Sequence, residues 1–312
     1  MEKRKIGSLE VSIVGLGCNN FGGRLDYDGT LAVVDAALDA GINFLDTADI
    51  YGKTQSEELL GRALAGRRDK VVLATKFGME VDPQRKGAKP DYVRRAAEDS
   101  LRRLKTDYID LYQLHTPDPE TPIGDTLAVL DELVRSGKVR EIGCSNFSVA
   151  QLREAKDAAR QGARFVSVQN EYSLLHREPE REVLAECERE GLAFLPYFPL
   201  ASGALTGKYR RGEKKPDNAR LTNSESMAGR FLDEQKQDVV EKLRAFAESR
   251  GHSLLELAFS WLLRHRVVAS VIAGATKPEQ IRSNVQAAGW TLSDQDLAEI
   301  DRIAPVGSLV AA

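Results

Sequence analysis

The sequence is poor in the features that mark secreted, membrane or nucleic-acid-binding chains. It has only three cysteines, Cys18, Cys144 and Cys187, an odd number set far apart. That excludes a disulfide framework and a C-x-x-C metal pair, and it fits a reducing compartment. No apolar run approaches the roughly 18 residues that would cross a bilayer. The opening MEKRKIGSLEVSIVGLGC starts basic, but Glu10 interrupts what would be the apolar core of a signal peptide. Charge of one sign is missing too: 44 Lys+Arg against 47 Asp+Glu leave a net charge of -3. Nucleic acid and anionic membranes select a strong basic excess, so neither is expected as a main partner. No heptad repeat announces an oligomer. The expectation is a cytoplasmic protein acting on a small molecule.

With apolar residues at 42% and charged residues at 29%, the composition is that of a globular chain able to bury a large core. One rhythm runs along it. Short apolar, β-rich runs alternate with amphipathic stretches at helical spacing. The runs are VSIVGLG (11–17), GINFLD (41–46), KVVLATK (70–76), YIDLYQLH (108–115), KVREIGCSN (138–146), RFVSVQN (164–170), LAFLPY (192–197) and VVASVIAG (267–274). In TPIGDTLAVLDELVRSG, Ile123, Leu127, Leu130 and Val134 share one helical face, with Gly137 as a stop. In SVAQLREAKDAARQG, Ser148 is the N-cap, and Val149, Leu152, Ala155 and Ala159 form the stripe.

Eight β units, each followed by a helix, predict a (β/α)8 TIM barrel over residues 1–312 as a single domain. An N-terminal β-hairpin spans about 3–14, turning at Gly7-Ser8, and a longer loop spans about 210–235. The competing architecture, a doubly wound open sheet, would draw its support from GLGCNN at residues 15 to 20. That is G-x-G-x-x-N, without the third glycine.

In such a barrel the residues just past each strand gather at one mouth. Those positions bring together Asp46 and Tyr51 after the second strand, Lys76 at the end of the third and His115 at the end of the fourth. Farther on come Ser145, Asn146, Gln169 and Tyr197. Singly, each has a bland reading: a packed tyrosine, a solvated lysine, a hydrogen-bonded histidine. Jointly they divide a task. A phenol titrates near pH 10, and a neighbouring ammonium, Lys76, is expected to lower that value. Asp46 pairs with Lys76 and keeps it charged. His115 hydrogen-bonds and orients a carbonyl oxygen, and Tyr51 protonates it. There is no activated nucleophile and no metal cage; what the set lacks is a hydride donor. Asp49, Asp110, Cys144 and Trp261 are read as structural.

At GINFLDTADIYG, ATKFG, YIDLYQLHTPD, GKVREIGCSNFS, QNEYSLLHRE, PYFPLASGALTGKY and VIAGATKPEQIRSN the chain resembles the aldo-keto reductases, nearly end to end. The resemblance implies a (β/α)8 barrel, an NADP(H) cofactor held without a Rossmann fold, and a catalytic Asp–Tyr–Lys–His tetrad at Asp46, Tyr51, Lys76 and His115. It implies that Ser145, Asn146 and Gln169 hold the nicotinamide carboxamide, and that Tyr197 stacks on the ring. The segment FPLASGALTGK, with Pro199, Leu200, Gly203 and Lys208, would wrap the pyrophosphate, and Arg220 would reach the phosphates. Its Gly203-to-Lys208 spacing is wrong for a Walker motif. After the last strand, Gly274, Thr276, Lys277, Gln280 and Asn284 would hold the 2′-phosphate and adenine, favouring NADPH over NADH.

Two departures stand out. Ala273 replaces the proline of the usual VIPG. Cys18 and Asn19 stand where many relatives carry a threonine and an aromatic residue beside the nicotinamide ribose, which points to an open mouth and loose specificity, with a short tail APVGSLVAA. Two other classes share some of these features. Potassium-channel β subunits, cofactor-binding regulatory proteins, have this fold and tetrad. A Schiff-base enzyme would instead use Lys76 as nucleophile, which an ion pair with Asp46 disfavours.

Overall fold

The computed structural model describes residues 1–217 and 219–309. Asn218 of the 210–235 loop and the last three residues of the APVGSLVAA tail lie outside the described residues.

The chain opens with the hairpin β1 (Lys3–Ile6) and β2 (Leu9–Ser12), paired antiparallel with Ile6 opposite Leu9 across the turn. Eight parallel strands follow in one sheet: β3 (Val14–Gly17), β4 (Phe44–Asp46), β5 (Val72–Phe77), β6 (Ile109–Leu114), β7 (Val139–Ser145), β8 (Phe165–Glu171), β9 (Ala193–Tyr197) and β10 (Val271–Gly274). Their spatial order is sequential from β3 to β9, with β10 beside β3. Between β9 and β10 the sheet closes through the stretch just before β10. Phe194 N–H donates to Val267 O at 2.7 Å, and Ala269 N–H donates to Phe194 O at 3.1 Å. The expected (β/α)8 barrel is what forms.

Two of the predicted runs are divided. VSIVGLG is split because the chain changes sheets at Ile13, whose N–H donates to Glu2 O while Ser12 Oγ donates to Val14 O. VVASVIAG is split because its first half faces β9 and its second half pairs with β3.

The helices packed around the strands start where their capping residues dictate. Ser148 caps α5 (Val149–Ala159) in a reciprocal box with Gln151, and Ser253 caps α9 (Leu254–Leu263) in the same way with Glu256. Such a cap contributes about 1 kcal/mol. The helix α4 (Ile123–Arg135) buries Leu127 and Leu130 as its stripe required, and Ile123 and Val134 are partly buried against the same core. Within the 210–235 region lies a short helix, α7 (Glu225–Phe231), that sequence periodicity did not separate. Among the described residues no helix is long and apolar enough to cross a membrane.

Among the described residues two apolar clusters form. One lies between strands and helices and includes Trp261, Phe77 and Tyr112. The other fills the N-terminal end of the barrel: Ile6, Leu9 and Val11 of the hairpin meet Phe44, Ala74, Leu111 and Leu195. That end is plugged by side chains. Arg4 pins the hairpin there, donating to the carbonyls of Leu263, His265 and Val268 at 2.9, 3.0 and 2.6 Å.

Candidate active site

The open end is built differently. β4 terminates at Asp46, and the chain beyond it is laced onto β5: Thr47 N–H donates to Ala74 O and Asp49 N–H to Lys76 O. This lacing carries Tyr51 back over the strand ends. Lys76, wholly buried, donates to Asp46 Oδ2 at 2.5 Å and to Thr47 O at 2.9 Å. Its Nζ lies 5.3 Å from the Tyr51 ring centroid. The Tyr51 and His115 rings meet edge to face at 5.8 Å. The four side chains read from the strand ends therefore converge.

Burial by itself lowers the Lys76 pKa. The Asp46 carboxylate and the Tyr51 phenol outweigh it, so its pKa lies above the ordinary lysine value and the ammonium is kept. Burial and the Lys76 charge together push His115 down to about 3, which leaves the imidazole neutral. Tyr51 corrects the expectation from sequence. Lys76 does pull its pKa down, but burial pulls harder and Asp46 opposes the lysine, so the phenol stands above its ordinary value. It is held protonated.

Asp46 is more heavily bonded than the sequence suggested. Its Oδ1 accepts from Gln113 Nε2 and from Gln169 Nε2, each at 3.1 Å. Around Gln169 the expected carboxamide residues bond one another. Ser145 Oγ donates to Gln169 O at 2.7 Å, Asn146 N–H donates to the same oxygen at 3.0 Å, and Asn146 Nδ2 donates to His115 O at 2.9 Å. Tyr197 is half-buried, and its hydroxyl donates to Asn146 Oδ1 at 2.8 Å. Cys18 is fully buried, with its thiol directed at Leu16 O and its N–H bonded to Asp46 O. The side chain offered to the cleft is that of the exposed Asn19.

After β9 the backbone folds tightly. Phe198, Ala201 and Ser202 all have positive φ, and Gly203 reaches φ 105°, a conformation open to glycine at little cost. Pro199 and Leu200 lie within this turn, which brings Gly203 against the end of Lys208: a Cβ there would sit 3.1 Å from Lys208 Nζ. Arg220 Nη2 donates to Asn19 Oδ1 at 3.2 Å and Asn20 Oδ1 at 2.8 Å. Burial, Arg24 and Arg220 lower the Lys208 pKa, and burial and Arg24 lower that of Arg220. Three cations thus stand close together, an arrangement that favours an anion among them.

Beside it, Gly274 ends β10 against Asn19 and Asn20. Thr276 N–H donates to Gln280 Oε1 at 2.7 Å, and Lys277 stands exposed at the N-cap of α10 (Pro278–Gln286). Asn284 is buried on that helix.

Gln113, Asn20 and Arg24 were missed from sequence. A signal for Gln113 existed: it lies on β6 two residues before His115, which follows the strand's end, so the strand's alternation points both the same way. Nothing periodic marks the loop positions of the other two.

The residues read as structural have structural surroundings. Asp110 accepts from Arg68, Arg140 and Leu73 N–H. Trp261 is fully buried. Burial raises the Cys144 thiol well above its ordinary value. Asp49 is pushed up to about 7, first by burial and then by Glu57. Among the described residues no cluster of metal-ligating side chains occurs.

Known proteins carry the same arrangement of chain. The sequence model described as "Aldo/keto reductase family" matches residues 13–305. "Aldo-keto reductase YhdN" of Bacillus subtilis is 37% identical over 305 residues, covering 95% of this chain and 90% of that protein. "Protein tas" of Escherichia coli is 36% identical over 331 positions, covering 95% of each. Among solved structures, the holo form of the aldo-keto reductase AKR11C1 from Bacillus halodurans superposes with a TM-score of 0.81 at 33% identity, covering 100% of this chain and 98% of that one. With matches spanning nearly its whole length, the chain belongs to the aldo/keto reductase family of oxidoreductases.

Proposed function

We propose that the chain reduces aldehydes or ketones to alcohols, reversibly, with NADPH as hydride source and Tyr51 as general acid. The observation that carries this reading is the convergence of a protonated Tyr51, a charged Lys76 held by Asp46, and a neutral His115 at one mouth.

A carbonyl oxygen seated between Tyr51 and His115 receives a hydrogen bond from the neutral imidazole and the proton from the phenol. As that proton leaves, the Lys76 charge stabilises the phenolate, and Asp46 keeps Lys76 in place. The same phenolate takes a proton back when an alcohol is oxidised. Lys76 does not act as an amine nucleophile here, because it stays charged and ion-paired.

The cofactor fits the groups present. Lys208, Arg220 and Arg24 suit a pyrophosphate, as does the tight turn at Gly203. Thr276 and Lys277 at the start of α10 suit a 2′-phosphate, with Gln280 and Asn284 following on the helix. Ser145, Asn146 and Gln169 would bind and orient the carboxamide, and Tyr197 would support the ring. When bound, the nicotinamide supplies the hydride. Asn19 in place of an aromatic wall leaves the substrate side open, in keeping with broad carbonyl specificity.

The test is NADPH oxidation with a panel of aldehydes and ketones, for the wild type and Tyr51→Phe side by side. The wild type should turn over several carbonyls. The variant should bind NADPH within a few-fold of wild type yet lose between about 10²- and 10⁴-fold in kcat, the range of general acid catalysis. Tight NADPH binding with no turnover of any carbonyl would favour a cofactor-sensing role instead, and absence of binding would overturn the cofactor assignment.

A further inference from the structure

Asp46 is the hub of the ion pair, yet its two oxygens are treated differently. Oδ2 takes Lys76. Oδ1 takes two amides, one from Gln169 on β8 and one from Gln113 on β6. The two amides are not equivalent. Gln169 belongs to the group of polar residues around Asn146 and Tyr197 that faces the cleft, through bonds from Ser145 and Asn146 to its backbone oxygen. Gln113 has no exposure at all. It sits beside Lys76 in the sheet register and beside Gly143 on the other side. Gly143 makes the room: a Cβ there would lie 3.2 Å from Gln113 Cγ and 2.5 Å from Ser167 Oγ.

The orientation of the Gln113 amide follows from its partner, since an ionised carboxylate only accepts. The nitrogen is therefore turned to Asp46, and Gln113 Oε1 is left buried with no partner among the described residues. A buried side chain that makes one bond and leaves its other polar atom unpaired is in place for the bond it makes.

We infer that Gln113 is a positioning residue for the reaction: it fixes Asp46 from behind, so that the carboxylate holds Lys76 against Tyr51. The assignment rests on the reading of Tyr51 as proton donor. Two physical effects of losing Gln113 point the same way. Without its N–H the Asp46 carboxylate is less restrained, so Lys76 stabilises the Tyr51 phenolate less well. The carboxylate is also less neutralised, so it repels that phenolate more. Both raise the phenol's pKa.

The variants are Gln113→Met, which keeps the volume and removes the donor, and Gln113→Glu, which keeps the shape and puts a second carboxyl against Asp46. In each, the ionisation of Tyr51 is read as the tyrosinate absorbance lost on adding Tyr51→Phe. Turnover and NADPH binding are measured beside it. For Gln113→Met the expected result is an upward shift of the Tyr51 titration by about one pH unit, a fall in kcat of about tenfold at unchanged KM, and unchanged NADPH affinity. Gln113→Glu should lose more, increasingly as pH rises, because two carboxylates cannot both ionise at that distance.

A Tyr51 titration unmoved in Gln113→Met, or kcat within twofold of wild type, would overturn the assignment and make Gln113 a barrel filler. If Gln113→Met does not fold, the same titration in Gln113→Glu decides. A titration that moves in a protein that reduces no carbonyl would instead sink the reductase reading while the link from Gln113 to Tyr51 stands.

Discussion

Two buried aspartates, each on or at the end of a barrel strand and each paired to a cation, sit near opposite ends of this molecule. At the N-terminal end Asp110 is held by Arg68, by Arg140 and by a backbone N–H, and both arginines lie over the Tyr108 ring and reach solvent. At the mouth Asp46 is held by Lys76, which has no exposure, and by two glutamine amides. Around the first pair stand the Tyr108 ring and backbone groups, with Arg68 also donating to the carbonyls of Val71 and Tyr108. The second leans against a phenol and an imidazole whose pKa values both depart from normal. An ion pair alone therefore does not mark a site; the groups around it do. Cavity size is no better guide. An open groove of about 930 Å³ lies at the N-terminal end, between Arg67, Lys105, Tyr108 and Lys138, and much of its charge is already paired, as in Arg67 with Asp35 and Lys138 with Glu98.

The sharpest way to break this contrast is to remove one cation from each end. Lys76→Met should leave Asp46 as an unpaired buried charge, costing roughly 3–5 kcal/mol of stability, and abolish turnover as well. Arg68→Met leaves Arg140 on Asp110, so it should cost roughly 1.5–3 kcal/mol and leave kcat unchanged. Urea unfolding with parallel rates checks both, and equal effects on kcat would erase the distinction.

A second separation uses pH. The folded-state pKa of Asp49, about 7, lies above the roughly 4 of a free aspartate. The folded protein thus holds a proton that the unfolded chain has released. Stability from this group is complete at low pH, falls as pH rises between about 4 and 7, and stays reduced above. Asp49→Asn should gain on the wild type by roughly 3 kcal/mol between pH 5 and pH 8. A parallel pair of stability curves would mean that Asp49 is charged in the fold.

The smallest expected effect compares arginines. Arg220→Met should raise the NADPH Kd roughly tenfold, as for one charge-assisted bond, whereas the same change at Arg67 should leave it unmoved.

What could be read from the sequence follows from how local each feature is. A strand and the helix after it are written in contiguous residues, so the eight units and the Ser148 cap were visible. The change of sheet at Ile13 was not, because its bonds go to Glu2 and no periodicity marks the switch. Asp46, Lys76 and His115 were found because barrel geometry assigns meaning to strand ends. Gln113, one step inside, was passed over as part of an apolar run. The sign of the Tyr51 shift depends on how much protein surrounds the phenol, and only the folded chain contains that quantity.

The clasp formed by Arg4 has a consequence for biosynthesis. Its three carbonyl partners lie near residue 265, and β3 must wait for β10 before its outer edge is paired. A nascent chain therefore cannot seal the base of its barrel until the segment through β10 has been made. Until then the unpaired edge of β3 remains open to other chains. Contacts this distant in sequence also slow folding, because two widely separated segments must find each other before the cylinder can close.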